Sequence, residues 1–155
     1  MEAVMKENQE QMRAMRNVLI VDDDSALLQA LPEAITLRLP GTVVETAWSG
    51  GTAMDMARTT DYDAIVVDFN MPDLDGLEVI KRLQVLRPTT PTLLMTGHGN
   101  REIAIDAVRK GAYAFIEKPI DRDYFIAWLQ RAMQLHELLG ELQEKQTDWR
   151  KAEPR

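Results

Sequence analysis

The chain contains no cysteine, which excludes disulfides and thiolate metal sites and fits a reducing cytoplasm, its expected location. No apolar run approaches the ~20 residues that would span a bilayer, so no membrane segment is expected. The first residues, MEAVMKENQEQ, lack the apolar stretch of a secretory signal. There is no Gly-x-Gly-x-x-Gly to cradle a dinucleotide. Positive charge is also short: 18 Lys and Arg against 25 Asp and Glu leave a net charge of −7. That balance argues against a broad contact with a phosphate backbone, so no direct nucleic-acid role is expected. Internal repeats and low-complexity tracts are missing as well.

What is present is an alternation. In 155 residues, 45% of them hydrophobic, there is enough chain for one domain with a real core. Short apolar runs at Val18–Val21, Val43–Ala47, Ile65–Val67, Thr92–Met95 and Ala114–Ile116 read as strands. Between them, Ser25–Leu39, Ser49–Arg58, Leu74–Leu86 and Asn100–Lys110 carry apolar residues near the 3.6 period, and a fifth helix follows Asp121. Asp24-Ser25 and Asn100 are candidate caps, and Gly111 a candidate stop. Pro32 falls well inside the first helix, where a kink is expected, although Pro32 would also be tolerated as the first residue of a second helical piece. Strict alternation implies an α/β fold with a parallel sheet and helices on both faces.

The ends differ from the middle. Residues 1–16 have helix propensity but no apolar stripe, and read as a flexible or helical extension. Residues 17–136 read as the folded domain and 137–155 as a helical tail or linker, so the chain is read as one domain with tails. Phe125, Trp128, Ala132, Leu135, Leu139, Leu142, Gln146 and Trp149 recur at spacings of three and four. Such a stripe serves either to dock the last helix on the sheet or to form a coiled-coil seam between two copies. Gly140 within it weakens the helix by about 1 kcal/mol relative to Ala.

The chemistry lies at the strand ends. Asp22-Asp23 follow the first strand, Asp68 the third, Thr96 the fourth and Lys118 the fifth. In an open parallel sheet these carboxyl ends border the ligand crevice. Carboxylates gathered there repel, and burial worsens the repulsion, so a positive group must sit among them. Oxygen ligands without a nearby His or Cys suit Mg²⁺. A divalent cation, a lysine and a hydroxyl can together neutralise a transferring phosphoryl group, and a carboxylate held against the metal can attack it. Asp68, alone at the end of the central run, is the candidate nucleophile. Each residue by itself is ordinary; their joint order is not.

The stretches VLIVDDDSALL, AIVVDFNMPDLDG, LLMTGHG and AYAFIEKPID resemble, in order and spacing, the motifs of receiver domains of two-component response regulators, of the chemotaxis and nitrogen-regulation type. The resemblance covers about residues 17–136. It implies a doubly wound, flavodoxin-like sheet of order 2-1-3-4-5. It also implies that Asp68 accepts a phosphoryl group from a sensor-kinase phosphohistidine, with Mg²⁺ held by Asp22, Asp23, Asp68 and the carbonyl of Asn70. Thr96 and Lys118 would bind phosphoryl oxygens, and Thr96 with Phe115 would form the switch. Asn70 and His98 would tune the lifetime of the acyl phosphate, and Lys118-Pro119 would be cis. Implied partners are a sensor histidine kinase or phosphotransfer protein and a downstream partner or output domain, and a homodimer through the C-terminal helix is a candidate. Such a chain is no enzyme beyond catalysing its own phosphorylation and dephosphorylation.

Other readings fit less well. A phosphatase with a strand-end Asp nucleophile needs a second acid two residues on, where this chain has Asn70. A flavin-phosphate loop after the first strand must be rich in donors, and here it reads Asp-Asp-Asp. A receiver-fold interaction module that works without phosphorylation is the remaining alternative.

Overall fold

The computed structural model describes residues 1–6, 15–97 and 99–152, with side chains up to residue 147. His98 and the side chain of Trp149 therefore lie outside what is described. Five strands alternate with five helices: β1 (Arg16–Val21), α1 (Ser25–Arg38), β2 (Thr42–Ala47), α2 (Gly50–Thr59), β3 (Ala64–Asp68), α3 (Gly76–Leu86), β4 (Thr92–Thr96), α4 (Arg101–Arg109), β5 (Ala114–Glu117) and α5 (Arg122–Ala152). The sheet is entirely parallel, in the order β2-β1-β3-β4-β5. Residues 2–6 form a short helical segment whose side chains are exposed.

Strand residues alternate between two cores. Val18, Ile20, Ala64, Val66, Leu93, Met95 and Ile116 pack under α1 and α5, against Leu31, Ile35, Phe125 and Leu129. Leu19, Val21, Ile65, Val67 and Leu94 pack under α2, α3 and α4, against Ala53, Ala57, Val79, Ile80, Leu83 and Ala107. Burial on both faces explains why the central runs read as dry and β-branched instead of alternating with polar residues. Because β1 and β3 are neighbours and their connections wind to opposite faces, the carboxyl ends of β1 and β3 bound a crevice.

Local signals hold at most helix ends. Asp24 accepts from the amides of Ala26 and Leu27, Ser49 from Thr52, and Asp75 from Glu78. Asn100 departs from expectation: it stands at the N-cap of α4, directly before Arg101, but its side chain makes no capping bond. With φ −88° and ψ 54°, it lacks the extended backbone of the other three caps. Gly111 ends α4 as expected, at φ +109°, a conformation that glycine adopts without strain. α1 runs through Pro32 as one helix, so no separate piece opens there. α5 is 31 residues long. Phe125 and Ala132 are buried, Leu135 and Leu139 are half-buried, and Leu142 is exposed, so the first part of the stripe docks the helix on the sheet.

Candidate functional site

The site forms where β1, β3, β4 and β5 end. Asp22 follows β1 directly; its amide donates to the Ala47 carbonyl at 3.0 Å and its Oδ1 accepts from the Asp24 amide at 2.9 Å. These bonds hold its carboxylate fully buried. Asp68 closes β3 and is 5% exposed, while Asp23 is exposed. Asp22, Asp23 and Asp68 each offer a carboxylate oxygen within 4.8 Å of the others. Lys118 reaches in from the end of β5, its Nζ 2.9 Å from Asp22 Oδ2 and 3.0 Å from Asp68 Oδ1.

Thr96 ends β4 in a buried position, and its carbonyl accepts from the Lys118 amide at 2.7 Å. That bond ties the hydroxyl-bearing strand to the ammonium-bearing one. The Lys118-Pro119 peptide is cis, as the motif implied. Phe115 is half-buried against the α2–α4 core, paired in register with Leu94. Asn70 lies exposed in the loop between β3 and α3. The structure thus gathers Asp22, Asp23, Asp68 and Lys118, and sets Thr96 beside them.

The electrostatics follow from this crowding. Burial pushes the Asp68 carboxyl above the ordinary aspartate value; the Lys118 hydrogen bond opposes this, and the charges of Asp22 and Asp23 reinforce it. Burial alone would lower Lys118, but its bonds to Asp22 and Asp68 outweigh the desolvation and leave it raised. Three carboxylates against one ammonium leave a formal −2 in a small volume. An all-oxygen donor set short of two positive charges fits a hard divalent cation.

Beside Lys118, an apolar groove of about 340 Å³ runs between α1 and the segment after β5, lined by Ala26, Leu27, Leu31, Pro119 and Ile120. A larger cavity, about 530 Å³, lies at Met54, Arg58 and Val85 and includes none of these residues.

Against known proteins, the family described as "Response regulator receiver domain" matches residues 18–130. The chain belongs to the response regulator receiver family. Among its relatives, the C4-dicarboxylate transport transcriptional regulatory protein DctD of Pseudomonas aeruginosa is 38% identical over 129 residues, covering 83% of this chain and 27% of its own length. The crystal structure of a response regulator receiver domain protein from Clostridium thermocellum superposes with a TM-score of 0.73 at 26% identity, over 81% of this chain and 99% of that one. A crystal structure described as an adenylate cyclase from Rhodopirellula baltica gives a TM-score of 0.79 at 27% identity, over 86% and 98% of the two chains. This receiver spans less than a third of the length of the curated relatives it matches. It is a signalling domain of the two-component type, and among its described residues no helix is long and apolar enough to cross a membrane.

One residue of the site loop escaped the reading of the sequence. Asp73 accepts from the amides of Gly50 at 3.0 Å and Gly51 at 2.9 Å, at the start of α2. The Gly-Gly pair directly after the Ser49 cap is the signal that marks a close approach there.

Proposed function

We propose that this receiver is a phosphoacceptor in which Asp68 takes a phosphoryl group from the phosphohistidine of a sensor kinase or phosphotransfer protein. The observation that carries this reading is the single ammonium of Lys118 shared by Asp22 and Asp68, with Asp23 alongside. A carboxylate oxygen of Asp68 forms the new O–P bond as the N–P bond of the donor breaks, and the departing imidazole keeps the electron pair. Asp22, Asp23, Asp68 and the Asn70 carbonyl would hold Mg²⁺, which when bound supplies positive charge for the phosphoryl oxygens. Lys118 supplies a further charge and Thr96 a hydroxyl donor. Contact of Thr96 with the new group, together with a turn of Phe115, would shift the population of the surface read downstream.

In this reading residues 17–136 are the receiver unit, 1–16 an extension, and 137–155 a linker toward a partner or output domain. The apolar groove beside Lys118 suits an amphipathic segment of the donor, and exposed Leu138 and Leu142 on α5 suit a seam between two copies. The chain catalyses only its own phosphorylation and dephosphorylation. Intact mass after incubation with acetyl phosphate and Mg²⁺ tests the proposal. A gain of one phosphoryl group is expected, and no gain, with no response to beryllofluoride, would instead favour a module that binds without phosphorylation.

A further inference from the structure

We infer that Asp73 is a positioning residue: by clamping the loop after Asp68 onto the first turn of α2, it sets the geometry of the cation site. This rests on the phosphoacceptor reading and deepens it. The loop from Phe69 to Asp75 contains two acids with different employment. Asp75 caps its own helix, accepting from Glu78 at 2.8 Å. Asp73 instead reaches across to another helix and takes two amides at once, Oδ1 from Gly50 and Oδ2 from Gly51. Ser49 already serves the Thr52 amide of that helix, so the two caps divide the free donors between them.

The packing around this clamp leaves little slack. A Cβ on Gly50 would lie 2.9 Å from both Leu74 Cβ and Val79 Cγ2, and one on Gly51 would lie 3.3 Å from Asp73 Oδ2. At the end of the loop, a Cβ on Gly76 would come within 2.5 Å of the Asp68 carbonyl. The Gly76 amide donates to the Phe69 carbonyl, and the Phe69 amide to Met95, both at 2.9 Å. The loop is thus fixed at its two ends by backbone and in its middle by Asp73. Asn70, whose carbonyl completes the proposed cation site, lies in the arm between Asp68 and that middle anchor. Asp73 itself does not join the Asp22, Asp23 and Asp68 cluster. Hydrogen bonds from the backbone amides of Gly51, Leu74 and Gly50 hold its carboxyl below the ordinary aspartate value.

The test compares Mg²⁺ affinity of the full chain, by calorimetry, for wild type, Asp73→Ala, Asp73→Asn and Tyr62→Phe, with thermal unfolding of each. Outer-shell positioning groups commonly govern about a tenfold change in metal affinity. Asp73→Ala is expected to weaken Mg²⁺ by about that factor while folded, and Asp73→Asn, which keeps one acceptor oxygen, to fall between it and wild type. Amide exchange at Gly50, Gly51 and Asn70 should quicken in metal-free Asp73→Ala. Tyr62→Phe, which removes the hydrogen bond to Glu45 away from the loop, is expected to lower the unfolding temperature without moving Mg²⁺ affinity. Affinity of folded Asp73→Ala within about twofold of wild type would overturn the inference whatever its unfolding temperature. If Asp73→Ala does not fold, Asp73→Asn decides by the same criterion. Wild type that binds no Mg²⁺ would overturn the phosphoacceptor reading itself, and this inference with it.

Discussion

At the carboxyl end of the sheet, Asp22, Asp23 and Asp68 crowd together around one lysine. Around its amino end, several acids and polar groups are given partners, although the buried Thr92 hydroxyl at the start of β4 finds none among the described residues. Glu45 accepts from the Tyr62 hydroxyl at 2.8 Å, Asp63 from the Asn17 amide at 2.7 Å, and the Tyr62 carbonyl from Thr90 at 3.2 Å. His136 of α5 lies 2.8 Å from the Thr89 carbonyl, and Arg16 pairs with Glu137, pinning the helix where it leaves the sheet. One end is held short of positive charge and the other is largely paired. The difference separates the region that must respond to a ligand from the region that keeps the frame rigid while it does so.

Asp68→Asn should break the comparison most completely. Phosphoryl uptake from acetyl phosphate is expected to vanish, as judged by intact mass. Stability in Mg²⁺-free buffer should rise rather than fall in the same variant. The sign follows from linkage: an acid whose pKa is raised by folding favours the native state only while protonated, and that contribution is lost as pH climbs through its raised value. At neutral pH the charged form of Asp68 therefore works against folding, and asparagine removes it. A lowered urea midpoint would contradict the crowding argument.

Lys118→Ala comes next. It leaves the fully buried Asp22 and the nearly buried Asp68 without their counter-charge, a loss worth about 3 kcal/mol. Most of that should return when Mg²⁺ is added, because a cation that binds only the folded chain stabilises it. Denaturation of the variant with and without Mg²⁺ measures both parts. A deficit that Mg²⁺ leaves untouched would locate the role of Lys118 in packing instead of charge.

Why the carboxyl end was legible and the amino end was not has a physical cause. Strands buried on both faces leave dry runs in the sequence, and a carboxylate, hydroxyl or ammonium at the end of such a run stands out from it. Asp22, Asp23, Asp68, Thr96 and Lys118 were all visible in this way. The bonds of the amino end join residues far apart in the chain, such as Glu45 to Tyr62 and Thr89 to His136, and no period or cap records them. Asp73 was hidden for the same reason, since its partners lie on another helix. Asn100 was misjudged because residue type marks a cap, whereas the bond needs an extended backbone that this loop does not provide. The stripe on α5 was ambiguous because docking on a sheet and pairing with a second helix ask for the same spacing; the burial of Phe125 and Ala132 assigns its first part to docking.

Tyr62→Phe probes the largely paired end with a smaller effect. It removes the hydroxyl that Glu45 accepts from, and leaves a half-buried carboxylate without that donor. A loss of about 1–2 kcal/mol is expected. Phosphoryl uptake should stay at the wild-type level, so the same substitution that weakens the frame leaves the reactive end alone. A marked change in uptake would mean the two ends are coupled through β3.

The smallest effect is also seen only in alkali. Burial, and then the hydrogen bond and charge of Glu45, push the Tyr62 phenol up to about 12. The folded state therefore favours the protonated phenol. Its contribution to stability is complete below the ordinary tyrosine value near 10 and is lost as pH rises from there through about 12. The tyrosinate absorbance of wild type minus that of Tyr62→Phe should isolate this ionisation, and the stability gap between the two proteins should close over the same interval. Ionisation near the ordinary value would mean that Tyr62 and Glu45 are open to water, and the amino end of the sheet would then be no better satisfied than the carboxyl end.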